Sequence, residues 1–406
     1  MDGFWILFYF LIGACTGSFL NVVIYRMPRG ESIAFPGSHC PSCGRAIRWY
    51  DNIPLLSWLV LRARCRNCKT RISARYFWVE LATALLVVAL YVAYFVLDVR
   101  AGAGQYQESW AMYLAHMILL CGLLACSAVD IEHWIVPLEV CWFVSAAGVL
   151  ASSLQPHPWM PTVSPRTGAM SIAAMIGLAV SIFAQQMGWI QPSFLDAEDK
   201  PLAQPEQTKP TAAEKDRKKK RKGRKPPPAE PKHIAATIAS GVNPRIEVLR
   251  ELLFLAPAIV LGLAAWLAVT HLPALGDVWT RWHGGRRWGA NLAGLEGALF
   301  GYLIGGLWIW GTRILGTLSF GKEAMGLGDV HILAAVGAVT GWIVPSIAFF
   351  LAPFAALGWA VFLLFRRNQR ELPYGPWLAV ASIAAMIAYD PLVSALRRQF
   401  APLLER

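Results

Sequence analysis

The sequence predicts an all-α polytopic membrane protein with eight to ten transmembrane helices. The chain has 406 residues, 56% of them hydrophobic, and its mean hydropathy is +0.45. This composition excludes a disordered chain and an ordinary soluble protein. Several apolar runs also reach the ~20 residues that a helix needs to cross a bilayer. Composition and run length together therefore define the fold class.

Nine apolar runs are long enough to be spans, and a tenth is shorter. The nine runs cover residues 4–25, 77–97, 111–129, 135–154, 167–189, 249–271, 291–315, 344–365 and 374–390. The tenth, 330–342, is expected to be a tilted, re-entrant or short crossing. Only Asp2 is charged ahead of the first run, which therefore lacks the basic leader of a secretory signal. We expect a retained first span with its N-terminus outside.

The distribution of basic residues predicts the topology. With the N-terminus outside and the spans alternating, 29 of the 37 Lys and Arg residues fall on the cytoplasmic side. This asymmetry is the positive-inside signature of a membrane protein. The net charge of +12 is thus attributed to topology, and no nucleic-acid partner is predicted. The same topology puts Asp130 and Asp329 at cytoplasmic ends of spans, although about 200 residues separate them.

Two polar stretches divide the chain. One contains four cysteines, and the other is so rich in charge and proline that it predicts a disordered cytoplasmic linker. The basic run of this linker could contact membrane lipids through their anionic head groups, or it could be a solvated topology anchor. The predicted segments are a first span 1–25, a cysteine loop 26–76, a first membrane half 77–189, the linker 190–248, a second membrane half 249–390 and a C-terminal tail 391–406.

The cysteine loop carries two Cys-x-x-Cys pairs with 21 residues between them, Cys40 with Cys43 and Cys65 with Cys68. This spacing is close to that of a four-cysteine zinc site, in which two such pairs complete a tetrahedron. Gly44, Asn67 and their neighbours supply the turns. Two disulfides are the alternative, but the cytoplasm keeps thiols reduced. The predicted fold therefore includes a small cytoplasmic zinc-binding loop domain. We expect its metal to be structural, because four thiolates leave no open coordination position.

Two aspartates lie beside apolar runs, where carboxylates are rare. Asp130 lies in Ser127-Ala-Val-Asp-Ile-Glu-His-Trp-Ile-Val-Pro137, and Asp329 lies in Gly326-Leu-Gly-Asp-Val330. An ionisable group is expensive next to a bilayer, so a membrane protein that keeps one usually uses it. Two carboxylates that meet can share a proton and activate a water molecule. The pair therefore predicts a membrane aspartic protease.

Each aspartate also has an alternative interpretation. Asp329 could cap the helix that follows it, with Gly326 and Gly328 forming the turn. In the catalytic interpretation, these glycines let the backbone and an extended substrate approach the carboxylate closely. Near the first aspartate, Glu132 and His133 are a competing acid and a competing base.

In combination, these features resemble the prepilin leader peptidases of type IV pilus and type II secretion systems. That family consists of membrane aspartic peptidases marked by Gly-x-Gly-Asp, and the resemblance covers nearly the whole chain apart from the linker. The matching segments are Gly17-Ser-Phe-Leu-Asn-Val-Val-Ile-Tyr-Arg-Met-Pro28, the four cysteines, Tyr50-Asp-Asn-Ile-Pro-Leu-Leu-Ser-Trp58, Arg75-Tyr-Phe-Trp-Val-Glu-Leu81, Asp130, Glu323-Ala-Met-Gly-Leu-Gly-Asp-Val-His331 and Pro373-Tyr-Gly-Pro-Trp377.

The resemblance implies specific roles and a location. It makes Asp130 and Asp329 catalytic, and it gives supporting positions to Gly326, Gly328, Glu323 and His331. The implied substrates are prepilin or pseudopilin precursors, cut after a glycine at the cytoplasmic face of the bacterial inner membrane. Relatives with the cysteine loop often also N-methylate the new terminus with S-adenosylmethionine, whose binding residues the sequence does not locate. His331 stands where lysine is common in the family, and Leu138 stands where a polar residue is usual.

Two other classes of function compete with a protease. Buried acids and glycine-broken spans also suit an ion-coupled transporter, although transporters place such groups near the bilayer midplane. The second competitor is a secretion-system scaffold that docks a partner through the cysteine loop. The sequence does not determine the oligomeric state or the particular precursor.

Overall fold

The computed structural model describes residues 2–100, 106–154, 160–194, 243–285, 288–321, 323–367 and 373–404. The predicted basic linker falls mainly on residues 195–242, outside the described residues. Its two ends are described, and the second membrane half already begins inside the predicted linker, at Pro244. Apart from two isolated β-bridges in the cysteine loop, the regular structure of the described residues is helical.

Thirteen α-helices are present in the described part of the chain, together with short 3₁₀ turns and a π-helical continuation of the third helix at Val92–Val96. They are α1 Asp2–Arg26, α2 Leu56–Val60, α3 Ala74–Tyr91, α4 Tyr106–His133, α5 Leu138–Leu154, α6 Pro165–Gln186, α7 Pro244–His271, α8 Pro273–Gly284, α9 Gly289–Phe320, α10 Leu327–Thr340, α11 Ile343–Arg367, α12 Gly375–Ile387 and α13 Tyr389–Leu404.

The helices confirm an all-α polytopic membrane protein. Seven of them, α1, α3, α4, α6, α7, α9 and α11, are long and apolar enough to cross a membrane. The pair α12 and α13 is bent by 74° and counts as an eighth if it is one span. The apolar helices α5 and α10 are shorter, and they coincide with the predicted runs 135–154 and 330–342. Every predicted apolar run therefore contains a helix.

The shortest predicted run forms the centre of the bundle. With 14 residues, α10 is about 21 Å long, which is less than the ~30 Å of a bilayer's hydrocarbon core. Nearly all of its residues from Val330 to Thr340 are buried, and His331 is the exception. Because α10 is enclosed by other helices, the protein can hold a polar group at its end without exposing that group to lipid.

Small residues let the neighbouring helices approach α10. Gly301 of α9 meets Gly337 of α10 backbone to backbone, and Gly148 of α5 would place a Cβ 2.8 Å from the carbonyl oxygen of Ala338. Association between helices inside a bilayer depends on such close packing, because lipid is as apolar as the side chains. The position of α10, and of Asp329 on its first turn, is thereby tied to α5 and α9.

Candidate active site

The two predicted catalytic aspartates lie at facing helix ends. Asp130 is on the last turn of α4 and is buried, with 6% of its surface exposed. Asp329 is on the first turn of α10 and is half-buried. Gly328, the residue before Asp329, packs against Val136 just beyond the end of α4, so the two helix ends adjoin. The N-cap of α10 is Gly326, and Asp329 lies in the first turn, three residues further on.

A third element, the start of α12, closes over the aspartates. The backbone N–H of Gly375 donates a hydrogen bond of 3.1 Å to Oδ2 of Asp130. A Cβ at position 375 would lie 2.8 Å from that oxygen and 3.2 Å from Cδ1 of Ile332, one turn beyond Asp329. Tyr374, the residue before Gly375, is partly buried and packs against the apolar core. Sequence reasoning assigned no role to Gly375 or Tyr374, although both lie in the late Pro-aromatic-Gly-Pro motif.

The two glycines before Asp329 have different surroundings. Gly326 is exposed. A Cβ at this position would have one heavy atom within 4 Å, which is Oδ2 of Asp329 at 3.9 Å. A Cβ on Gly328 would lie 2.6 Å from Cβ of Val136 in the α4–α5 connection. The space beside the carboxylate is therefore open at Gly326, whereas Gly328 packs against the protein.

The other predicted supporting residues flank the same site. The ring of His331 lies edge-on to Trp142 of α5, with 6.4 Å between ring centroids. Glu323 forms an ion pair with Arg313 of α9, a residue that sequence reasoning missed. The signal in the sequence that could have suggested a role for Arg313 is Glu323, a carboxylate ten residues further on.

The competing candidates beside Asp130 are engaged elsewhere. Glu132 accepts hydrogen bonds of 2.6 and 2.7 Å from Nη1 of Arg75, at the start of α3. His133 Nε2 lies 3.9 Å from the same carboxylate. The ion pair between Arg75 and Glu132 connects the exit of the cysteine loop to the end of α4, and 36% of the Glu132 side chain is exposed. The geometry thus favours Asp130 over Glu132 as the partner of Asp329.

A cavity of about 240 Å³ lies at the α4–α5 connection, close to the aspartates. Val129, next to Asp130, lines it together with Val136, which contacts Gly328, and Trp142, which contacts His331. The remaining lining residues are mostly apolar and come from the turn after α1, the α4–α5 connection and the start of α5. The site therefore combines two carboxylates with an adjacent apolar surface.

The four predicted metal ligands converge in the cysteine loop. Their sulfur atoms all lie within 4.8 Å of one another, and those of Cys40 and Cys68 are 3.8 Å apart. A tetrahedral ion with metal–sulfur bonds of ~2.3 Å holds its sulfurs ~3.8 Å apart, so the cluster could hold a metal ion. All eight cysteines are free, which excludes the disulfide alternative in this structure.

Each Cys-x-x-Cys pair is shaped by a similar turn. The residue after each second cysteine is left-handed, Gly44 with φ +67° and Lys69 with φ +59°, and Asn67 lies in the second turn, as predicted. The N–H groups of Cys40 and Cys65 each close a hydrogen bond of 2.9 Å across their turn. A backbone N–H···S hydrogen bond at Thr70 lowers the pKa of the Cys68 thiol to about 6, which favours a thiolate ligand.

The loop is fastened to the membrane helices by buried polar contacts. Arg26 at the end of α1 donates to the carbonyl oxygens of Ser32 and Gly37, at 3.0 and 3.4 Å. Glu80 of α3 accepts a 2.7 Å hydrogen bond from the backbone N–H of Leu55. Arg26 and Glu80 both lie in segments that resemble the family's motifs. Their hydrogen bonds position the cysteine loop over the helix ends.

One ion pair links the two halves of the loop. Arg66, between the third and fourth cysteines, binds Asp51 with both Nε and Nη2, at 2.8 and 2.6 Å. The hydrogen bonds from Arg66 lower the pKa of the Asp51 carboxyl below its usual range. The second cysteine pair is thereby held against the segment that leads into α2.

Comparison with known proteins agrees with this architecture. A family model described as the Bacterial Peptidase A24 N-terminal domain matches residues 11–94, which contain most of α1, the cysteine loop, α3 and part of its π-helical continuation. The chain is 48% identical over 134 residues to a prepilin leader peptidase/N-methyltransferase of Myxococcus xanthus, covering 33% of this chain and 36% of that protein. It is 42% identical over 164 residues to a type 4 prepilin-like proteins leader peptide-processing enzyme of Escherichia coli, covering 36% and 56%.

A third relative is matched over more of its length. A prepilin leader peptidase/N-methyltransferase of Klebsiella pneumoniae is 37% identical over 173 residues, covering 41% of this chain and 69% of that protein. The chain thus spans roughly a third to two-thirds of the length of these three curated relatives. No solved structure matches it.

Proposed function

The chain belongs to the prepilin leader peptidase/N-methyltransferase family, and on this premise we propose that it is a membrane aspartic endopeptidase acting on prepilin-like precursors. One observation carries the proposal. Asp130 and Asp329, about 200 residues apart in the chain, lie at adjoining ends of α4 and α10, where Gly375 contacts both Asp130 and Ile332, one turn beyond Asp329. A transporter would hold its acids near the bilayer midplane, whereas these lie at helix ends.

The proposed mechanism requires one ionised and one protonated carboxyl group. The ionised group takes a proton from water, whose oxygen attacks the peptide carbonyl, while the protonated group donates to the carbonyl oxygen. When the C–N bond breaks, the departing nitrogen receives the proton taken from water. A coupled pair titrates as a unit, so the two roles belong to the pair. The N–H of Gly375 fixes the orientation of Asp130 throughout.

The proposed substrates are prepilin or pseudopilin precursors, with cleavage after a glycine at the cytoplasmic edge of the precursor's apolar helix. Cleavage requires an extended peptide beside the carboxylates, and the open space at Gly326 suits such a chain. The apolar cavity beside Val129 and Trp142 suits the neighbouring apolar part of the precursor. The positive-inside distribution supports an active site that faces the cytoplasm in the inner membrane.

We propose zinc as the metal of the cysteine cluster. Four thiolates complete a tetrahedral shell, so the ion would stabilise the loop without binding substrate. The residues that would hold it are Cys40, Cys43, Cys65 and Cys68, which the structure brings within the required distances. Because Arg75 of the loop's exit pairs with Glu132 near the end of α4, a folded loop also supports the end of the helix that carries Asp130.

The decisive experiment replaces the aspartates one at a time. Asp130→Asn and Asp329→Asn should each abolish cleavage of a pilin-like precursor in purified membranes, read from the mass of the product's N-terminus. Glu132→Gln is the matched control and should keep activity within about twofold, because an exposed ion pair contributes ~1 kcal/mol or less. Full activity in either aspartate variant would exclude the dyad, and inactivity of the Glu132 variant alone would transfer the role to that residue.

A second activity, N-methylation of the new terminus, is proposed on two grounds. The relatives' names include N-methyltransferase, and the four-cysteine loop is complete in this chain. S-adenosylmethionine would be the methyl donor. We expect labelled methyl groups to pass from that donor to processed pilin, and a mass of the product without the added methyl group would contradict this activity.

A further inference from the structure

Arg313 lies at the meeting point of three segments near the end of α9. It is 3% exposed, and its Nε donates a 2.6 Å hydrogen bond to Oε1 of Glu251 on α7, which is 4% exposed. Its Nη1 pairs with Glu323 and donates a 2.6 Å hydrogen bond to the carbonyl oxygen of Met325. Glu323 and Met325 belong to the short segment that connects α9 to α10 and leads directly to Asp329.

We propose that Arg313 is the positioning residue of the segment that carries Asp329, an inference that rests on the proposed peptidase function. Through this residue, the buried Glu251 of α7 and the loop before α10 are held in one arrangement. That arrangement sets where the first turn of α10 begins, and therefore where the carboxylate of Asp329 stands relative to Asp130.

The first turn of α10 needs an external support. Its N-cap, Gly326, offers no side chain to accept from the free N–H groups of the turn. The preceding helix, α9, ends at Phe320 and is followed by Gly321 in a left-handed conformation. Because α10 begins at Leu327, only a few residues connect the two helices. The packing of Gly301 against Gly337 fixes the middle of α10, and on its first turn Gly328 packs against Val136. Arg313 is a donor and does not replace the missing cap, but its contacts with Glu323 and Met325 fix the loop that leads into this uncapped turn.

The geometry requires arginine and not merely a positive charge. A guanidinium group presents five donors in a rigid fork, whereas a lysine ammonium is a point charge on a flexible stem. Arg313 uses Nε for Glu251 and Nη1 for the loop, so separate nitrogens serve the two sides. A lysine could keep the charge pair with Glu251, but it could not hold the loop at the same time.

The alternative is that Arg313 only neutralises Glu251. This carboxylate also accepts hydrogen bonds from Ser193, at 3.1 Å, and from the indole of Trp310, at 3.1 Å. It therefore retains two neutral partners if the guanidinium is lost, although an unpaired buried charge would still destabilise the protein. A purely structural role predicts reduced stability in every Arg313 variant, and normal turnover by the molecules that remain folded.

The test compares Arg313→Lys and Arg313→Gln with Arg250→Gln. Arg250 is a matched control, because it also pairs with an acid of α7, Glu247 at 2.7 Å, and its other partner, Gln191, lies outside the α9–α10 loop. For folded protein purified in detergent, we expect kcat for precursor cleavage to fall at least tenfold in Arg313→Lys, with KM within about twofold. Displacing a catalytic group by about 1 Å can cost ~10²-fold, which makes this loss reasonable.

A second measurement does not depend on activity. Backbone hydrogen exchange over residues 323–331, followed by mass spectrometry, should become faster in both Arg313 variants and stay unchanged in Arg250→Gln. Unchanged exchange together with wild-type kcat in Arg313→Lys would overturn the positioning role. Asp329→Asn is measured in parallel: if it cleaves normally, the proposed function fails, whereas its inactivity beside a fully active Arg313→Lys removes only the positioning role.

Discussion

At the scale of single residues, the environment of Asp130 depends on a backbone amide and on the absence of a side chain beside it. Gly375 donates its N–H to Oδ2 of Asp130, and its Cα lies so close that a methyl group would stand 2.8 Å from the same oxygen. Ordinary contacts between carbon and oxygen are longer, so any larger residue must displace the carboxylate or the start of α12. Glycine at this position therefore supports the geometry of the proposed dyad.

This crowding predicts the effect of Gly375→Ala. The added methyl group should cost ~1–3 kcal/mol of stability as overpacking, and it should lower cleavage by one to two orders of magnitude because Asp130 moves. Gly358→Ala is the control, since no heavy atom lies within 4 Å of a Cβ built at that exposed position of α11. The measurement is precursor cleavage by equal amounts of folded protein. Wild-type activity in Gly375→Ala would show that Asp130 does not require this contact.

At the scale of elements, the helices could be predicted from the sequence, but the contacts between their ends could not. Apolar runs define the spans because the bilayer demands ~20 apolar residues, and this rule located α4, whereas α10 was located by the shorter apolar run 330–342. The rule does not say where a helix ends, and the structure puts Asp130 inside the last turn of α4 and Asp329 inside the first turn of α10. Arg313 and Gly375 were missed because their roles arise from partners distant in the sequence, on α7 and α4.

The cysteine loop was the most predictable element, for a different reason. Its ligand spacing is a local property of the chain, and local geometry is sufficient to bring each Cys-x-x-Cys pair to one ion. The left-handed residue was less predictable. Asn67 lies in the turn as expected, but the left-handed conformation falls on Lys69, and an L-residue other than glycine or asparagine rarely takes it.

The loop's architecture predicts the effect of removing one ligand. Cys65→Ser should reduce bound zinc from about one ion per chain toward none, because three thiolates do not complete a structural site. Cys15→Ser, which alters a cysteine of α1 away from the cluster, should leave the zinc content unchanged. Elemental analysis of the purified protein gives the stoichiometry. Loss of zinc in both variants, or in neither, would contradict the assignment of the four ligands.

At the scale of the whole molecule, the contacts place the candidate active site and α8 at opposite ends of the bundle. Helix α9 has 32 residues and is about 48 Å long. Its first turns lie near α8, where His283 Nε2 is 2.6 Å from the buried Glu296. Its last turns hold Arg313 and the loop of Asp329. The cysteine loop lies at the same end as the aspartates, because Arg75 pairs with Glu132.

This arrangement, combined with the basic residues of the cysteine loop, predicts a defined orientation in the membrane. Basic segments stay in the cytoplasm, so the loop and both aspartates should face inward and α8 should face outward. A cysteine introduced at exposed Asp277 of α8 should react in intact cells with a thiol reagent that cannot cross the membrane. A cysteine at exposed Glu31 should react only after the cells are opened. Labelling of the second variant in intact cells would reverse the orientation. The proposed site would then face outward, which contradicts cleavage of precursors at the cytoplasmic face.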